Sequence, residues 1–354
     1  MKKEFKIVSV HSQKIDDLVS FLNLALGQGN EAYRKSVDLW TWKHLSTPFG
    51  KSYGLAAIEP EKKEIIGMRV FMNWKFHNDR DEVVCSPRAV DTATHPSYQR
   101  QGIFSSLNQK ALNDFSIQKK AILISTPNKR SKAGNLKMGW EVIASWPLYV
   151  LIIKPIPFLK GIILGKRKKL KQFQPLHENV YSENILTFEE LKHSFGENIL
   201  NVFFEKIDQT RKRNKAWRVK KDFDYIEWRY NKHPNVDYGF FPLIFNKQLV
   251  GLAILRSNIR FGMTEIVVSE LFIEENNFAF GKKIIQGIKK NINADYLIAH
   301  FNLFSPELLL IKKAGFIKMP GQKIDFNIKE ISFSKEFFNK KDNWNFSLGD
   351  LELF

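Results

Sequence analysis

A series of residues recurs in order along the chain, and this constrains the fold more than any other feature. Trp42-Lys43 is followed by Pro48, Tyr53-Gly54 and Gly67. Trp228-Arg229 is followed by Pro234, Tyr238-Gly239 and Gly251. The step from Trp to Pro is six residues in both runs, from Pro to Tyr five and then four, and from Tyr to Gly 14 and then 13. Asp91 precedes Gly102 by 11 residues, as Glu270 precedes Gly281, and late in each run stand Gly139-Trp140 and Gly315-Phe316. Self-similarity of this kind predicts two copies of one structural unit. The length of 354 residues suits two domains. With 44% hydrophobic and 26% charged residues, each half can bury a core.

The first half gives the order of elements. Residues Glu4–Val10 alternate as a strand, and Lys14–Leu26 carries apolar residues at helical spacing. Asp38–Leu45 reads as a short helix ended by Pro48. Tyr53–Ile58, Ile65–Trp74 and Val83–Thr94 read as strands, Gly102–Gln118 as a helix and Ala121–Ser125 as a short buried strand. This is a mixed α/β order. The expected organisation is a domain at 1–153, a basic linker at 154–180 and a second domain at 181–354. The linker stretch Leu148–Gln172 mixes apolar residues with Lys166–Lys171. It reads as a final strand plus a basic linker, or as a surface for an anionic membrane.

Lys+Arg minus Asp+Glu is 55 − 37 = +18. That sign favours anionic partners, including nucleotide-bearing cofactors, acidic lipid surfaces and nucleic acid. The single cysteine, Cys85, rules out an intrachain disulfide and permits a reducing compartment. It is expected as a small core residue. The N-terminal stretch lacks the apolar run of a signal peptide, and no clean run of 18 apolar residues offers a membrane span. The expected location is cytoplasmic, with a peripheral contact at the inner face of the membrane as an option.

The stretch that points to chemistry is Ala89–Leu107, AVDTATHPSYQRQGIFSSL. A strand ends at His95-Pro96, and a tight turn, Gln99-Arg100-Gln101-Gly102-Ile103-Phe104, opens a helix. The N–H groups at a helix start have no intrahelical acceptor and lie at the positive end of the helix dipole. A phosphate docks there readily, Gly102 lets the backbone come close, and Arg100 adds charge. A second block follows at Ser125–Trp140, STPNKRSKAGNLKMGW.

Together these blocks resemble the acyl-CoA site of the GCN5-related N-acetyltransferase (GNAT) superfamily, whose pyrophosphate loop is written Q/R-x-x-G-x-G/A. Gln99 and Gly102 match at the right spacing, and Phe104 stands where the family has a small residue. The resemblance covers about residues 4–150. It implies a fold of two tandem GNAT-like domains, α/β of the mixed α+β kind, each a twisted mixed sheet flanked by helices. It implies acetyl-CoA or another acyl-CoA as co-substrate and no metal. Cofactor contacts would come from Ala93, Thr94, His95, Arg100, Gln101, Gly102, Ile103, Phe104 and Ser105. Asn128 would meet the pantetheine arm or order the loop around it.

For catalysis the resemblance implies a carboxylate base. Asp91 is the first candidate, with a structural role as the equal alternative, and His95 and His44 are weaker ones. The family's acid, a Tyr seven residues after the Asn, falls on Asn135 here, which leaves Ser131 or water.

The second copy aligns Phe278–Lys283 with the loop, after Glu274-Glu275. Bulk and acid there predict no CoA, and that copy is expected to wall an acceptor site. The detailed pattern resembles bacterial GNAT proteins of surface-polysaccharide biosynthesis, which implies an amino-sugar or glycan acceptor. Two other tandem groups are similar. One is the Fem-type transferases that use charged tRNA, a phosphate-rich partner that the net charge would suit. The other is the enhanced-intracellular-survival acetyltransferases, in which a C-terminal carboxylate enters the site, making that of Phe354 a candidate. A non-catalytic membrane-associated protein is the remaining alternative.

Overall fold

The computed structural model describes residues 4–27, 34–118, 122–168, 174–175, 180–212, 215–302, 305–331, 338 and 340–351. The chain forms two compact units. Unit 1 comprises Met1–Phe76, Val83–Ile143 and Phe326–Phe337, and unit 2 comprises His77–Glu82, Ala144–Asp325 and Phe338–Phe354. The expected division at 153 therefore does not coincide with the compact units. Each of them contains residues from the other end of the sequence.

Unit 1 runs β1 (Lys6–Ser9), α1 (Ile15–Leu22), α2 (Val37–His44), β2 (Tyr53–Ile58), β3 (Ile65–Met72), β4 (Arg88–Thr94), α3 (Ile103–Ile117), β5 (Ile122–Ser125) and α4 (Lys129–Lys137). The expected strand Val83–Thr94 is two strands, Val83–Cys85 and Arg88–Thr94. Pro87 between them has no N–H to give to a ladder. Cys85 is exposed, not a core residue. β1 to β4 pair antiparallel in sequence order.

One sheet face carries α3, whose Leu107 and Phe115 pack with Leu55, Ile66, Phe71 and Trp140. The other carries α1 and α2 over Val10, Trp40, Met68 and Val70. Along Met68–Phe71 successive side chains go to opposite faces, Met68 and Val70 to one and Phe71 to the other. Gly67 lies under α3, where an added Cβ would overlap Ile103.

Unit 2 contains part of β6 (Glu141–Ile152), then α5 (Pro155–Lys168), α6 (Phe188–Phe195), α7 (Glu197–Lys212) and α8 (Phe223–Ile226). Strands β7 (Tyr238–Phe245), β8 (Gln248–Arg260) and β9 (Met263–Ile273) follow, then α9 (Phe278–Lys290), β10 (Tyr296–Ala299), α10 (Pro306–Lys313), β11 (Ile317–Glu330) and α11 (Leu348–Leu351). β7, β8 and β9 pair antiparallel, and β9 pairs parallel with β10. Gly251 lies under α9 against Ile284, as Gly67 lies under α3.

The long-range strands explain why the units are discontinuous. In unit 1, β5 pairs antiparallel with Asn327–Glu330 at the end of β11. In unit 2, β10 pairs antiparallel with Tyr149–Ile152 at the end of β6. No helix of the described residues is long and apolar enough to cross a membrane.

Candidate active site

The candidate site of unit 1 begins where β4 and β5 part. These parallel strands pair at a single position, Arg88 with Ile124. Beyond it, the edge of β4 toward Thr94 has no ladder from β5. On its other edge β4 pairs with β3, with Thr94 opposite Gly67, Ala93 opposite Met68 and Val90 opposite Val70. The register shifts between Met68 and Val70. Asp91 and Thr92 therefore form a bulge opposite Arg69, and Asp91 has φ +34°.

After β4 the chain enters the turn. The His95 amide donates to the Ile66 carbonyl at 2.9 Å, and its ring Nδ1 accepts from the Ser97 amide at 3.2 Å. Neither group is left for a ligand. Pro96–Tyr98 forms one 3₁₀ turn, and the Gln101 side chain donates back to the Ser97 carbonyl at 3.4 Å. Arg100 has φ +63° and Gly102 φ +84°. Gly102 is the N-cap of α3, which has no side-chain cap. An added Cβ at Gly102 would meet nothing within 4 Å. The first-turn amides of Ile103, Phe104 and Ser105 thus have no side-chain cap, with the dipole behind them.

Asn128 stands at the start of α4. Its Oδ1 accepts from the Ser131 amide at 3.0 Å and from the Ser131 hydroxyl at 3.1 Å. The sequence reading put Asn128 at the cofactor and Ser131 at the leaving group. In the structure the two bond to each other as a helix cap. Asn135 is buried, with its amide 3.5 Å from Ser125 Oγ.

Asp91 faces α2. Lys43 Nζ lies 2.8 Å and His44 Nε2 2.9 Å from its Oδ2, with Lys35 Nζ 3.8 Å from Oδ1. His44 Nδ1 lies 2.9 Å from Ser52 Oγ. Burial pushes the Asp91 pKa up, but Lys43 and the His44 hydrogen bond outweigh it and hold the carboxyl well below its usual range. Burial lowers Lys43 to about 8 against the pull of Asp91. It also lowers His44, so His44 is neutral at pH 7, donating from Nε2 to Asp91 and accepting from Ser52. Asp91 is a poor base in this setting, and the geometry favours the structural alternative. Glu270 in unit 2 has matching partners, with Tyr230 Oη at 2.7 Å and Lys221 Nζ at 2.6 Å.

Arg69, not singled out in the sequence, is the charge within the apolar strand IIGMRVFM. It is only 3% exposed.

In unit 2 the turn register differs from the one read in sequence. Phe278–Lys283 lies inside α9, and the turn before that helix is Glu274–Asn277. The sequence alignment was therefore four residues late. Gly281 is a packing glycine whose added Cβ would overlap Leu310. Asn277 caps α9, its Oδ1 accepting from Ala279 and Phe280 amides at 2.9 and 3.3 Å.

Beyond the β9–β10 pairing the chain's own residues fill the gap. Ser347 bridges to Phe301, the Phe346 amide donates to Asn302 Oδ1 at 2.9 Å, and Ser347 Oγ donates to Glu270 at 2.7 Å. Unit 2 thus has a capped helix, an acidic turn and an occupied groove. Phe354 lies outside the described residues, as do the side chains of Lys166–Lys171.

The sequence matches no family profile and no curated protein. Solved structures do match. The GCN5-related N-acetyltransferase of Anabaena variabilis superposes at TM-score 0.62 and 11% identity, over 95% of this chain and 75% of that one. A conserved protein of Enterococcus faecalis described as a probable N-acyltransferase gives 0.60 at 12%, over 93% and 73%. Saccharomyces cerevisiae N-myristoyltransferase with bound myristoyl-CoA gives 0.54 at 8%, over 93% and 83%. The fold is that of the GCN5-related N-acetyltransferases.

Proposed function

We propose that the protein is an acyl-CoA-dependent N-acyltransferase whose cofactor binds unit 1. The observation that carries this reading is the uncapped start of α3 behind an open Gly102, beside strands β4 and β5 that part after one pair. The pyrophosphate would accept from the amides of Ile103, Phe104 and Ser105, with Arg100 adding charge. The arm would follow the free edge of β4 past Thr94 and Ala93. Acyl transfer then needs a neutral amine to attack the thioester carbon. The C–S bond breaks, the thiolate leaves and takes a proton, and the nitrogen loses one. Asp91, clamped by Lys43 and His44, positions the bulge of β4 and does not act as the base.

Acetyl-CoA is the first acyl donor to try, and an amino sugar or glycan precursor the first acceptor. Titration calorimetry of acetyl-CoA into wild type and Gly102→Glu tests the cofactor. Binding by wild type and none by the variant is expected, because the added carboxylate fills the open space and repels phosphate. Equal binding by both would remove the α3 site.

A peripheral contact with anionic membrane is a second reading, favoured by α5. Ile156, Leu159 and Ile163 are exposed on it at the spacing of one helical face, next to the basic run 166–171. Sedimentation with phosphatidylserine vesicles should be lost in Ile156→Glu/Leu159→Glu. Retention would end this reading.

A further inference from the structure

Arg69 is a buried cation with half of its hydrogen-bonding edge unpaired. Its Nη1 donates to Thr92 Oγ1 at 2.7 Å. Its Nε and Nη2 are buried and have no partner among the described residues. These two groups form one side of the guanidinium, the fork that matches the two oxygens of a carboxylate. Its guanidinium carbon lies over two rings, 4.7 Å from the Phe71 centroid and 5.4 Å from that of Phe104. Among the described residues no carboxylate bonds to it, and burial alone pushes its pKa down to about 9.

The place of Arg69 follows from the register. β3 runs antiparallel to β4, so Gly67 sits opposite Thr94 at the turn and Arg69 opposite the bulge at Asp91–Thr92. Two residues of strand separate these levels, about 7 Å. Phe104 is the second residue of α3, so Arg69 lies on the α3 face, beneath the helix start. Lys43 and His44 occupy the other face, against Asp91. A thioester whose phosphates sit at the helix start, and whose arm runs back along β4, brings its acyl end toward the bulge level.

We propose that the buried, unpaired edge of Arg69 binds a carboxylate at the far end of the acyl group, so that unit 1 takes the CoA thioester of a short dicarboxylic acid. This rests on the acyl-CoA reading above. Phe104, which stands where the related loop has a small residue, would be a wall of that subsite and hold the guanidinium in plane. The apolar stem and rings select length, and the fork selects charge. An acetyl group would leave the buried fork unpaired.

Calorimetry of succinyl-CoA, acetyl-CoA and free CoA into wild type and Arg69→Met tests the assignment. The substitution removes an uncompensated buried charge and keeps the stem, so the fold should hold, which a thermal melt verifies. Wild type should bind succinyl-CoA about tenfold or more tighter than acetyl-CoA, the worth of one charge-assisted pair, and the variant should lose that preference. Acetyl-CoA and CoA binding without a succinyl preference, or a preference that survives in Arg69→Met, overturns the carboxylate subsite and leaves the cofactor reading standing. If none of the three binds wild type, both fall. Titrating glutamate into the acetyl-CoA complex separates the other source of a carboxylate. Binding of glutamate that Arg69→Met abolishes would assign the fork to the acceptor and overturn its assignment to the acyl group.

Discussion

Asp91 and His300 show how burial sets the behaviour of single residues. Asp91 pairs with Lys43, which is only 4% exposed. Replacing Asp91 with Asn leaves that ammonium buried without its counter-charge, which costs about 3–5 kcal/mol. Urea unfolding of Asp91→Asn should show a loss of that order, and Asp91→Asn/Lys43→Met should recover much of it.

His300 lies in unit 2, 2.9 Å through Nδ1 from the Pro147 carbonyl, with its ring tilted at 36° to that of Trp146 and 5.6 Å away. Burial lowers its pKa from 6.5 to about 4. Between those values the unfolded chain binds a proton that the folded chain does not, so stability falls as pH drops through the window. At 1.36 kcal/mol per pH unit the loss reaches about 3 kcal/mol near pH 4. His44, lowered in the same direction, adds to the fall. The slope of unfolding free energy between pH 6.5 and 4 should therefore be shallower in His300→Asn. An unchanged slope would mean that His300 charges as readily in the folded chain as in the unfolded one.

At the scale of elements, two helices that follow a carboxylate-bearing strand differ in their first turns. α3 starts at an uncapped glycine in the left-handed region, and α9 starts at Asn277, whose side chain takes two of its amides. Asn277→Ala should cost about 1 kcal/mol of stability in thermal unfolding. Gly102→Ala should cost about 1–2 kcal/mol through its positive φ alone, since nothing stands near its Cβ. Gly281→Ala would instead overlap Leu310 and force α10 to shift. The two glycines were equivalent by spacing in the sequence and differ in kind in the structure.

The turn of unit 1 was legible because glycine, arginine and a following apolar helix all act locally. The turn of unit 2 was misplaced because a packing glycine one helical turn inside α9 looks the same in sequence as a loop glycine. Arg69 was not singled out because one charge in a strand carries no period. Only the three-dimensional neighbours, Thr92, Phe71 and Phe104, show that half its edge is unpaired.

At the scale of the whole chain, the sequence series around Trp42 and Trp228 pointed to two α/β units, but the division at 153 was not the one the compact units make. Sequence period reports which face a strand buries and not which strand lies beside it. The residues that complete unit 1, Asn327–Glu330, pair with Ile122–Ser125 across some two hundred positions, and no local signal marks that pairing. It has a consequence for expression of the first half. A fragment of residues 1–153 keeps β1 to β5 and the turn before α3, yet leaves all four residues of β5, each buried in the intact chain, with an unpaired edge. Buried backbone N–H and C=O groups without partners are costly, and an apolar open edge seeks another chain. The fragment should elute as oligomers in size exclusion and melt without a cooperative transition by circular dichroism. A version with residues 326–337 joined by a flexible linker should melt cooperatively and elute as a monomer. A monomeric, cooperative melt of 1–153 itself would mean that β5 needs no partner from β11, and that the strand pairing is an accessory to the fold of unit 1.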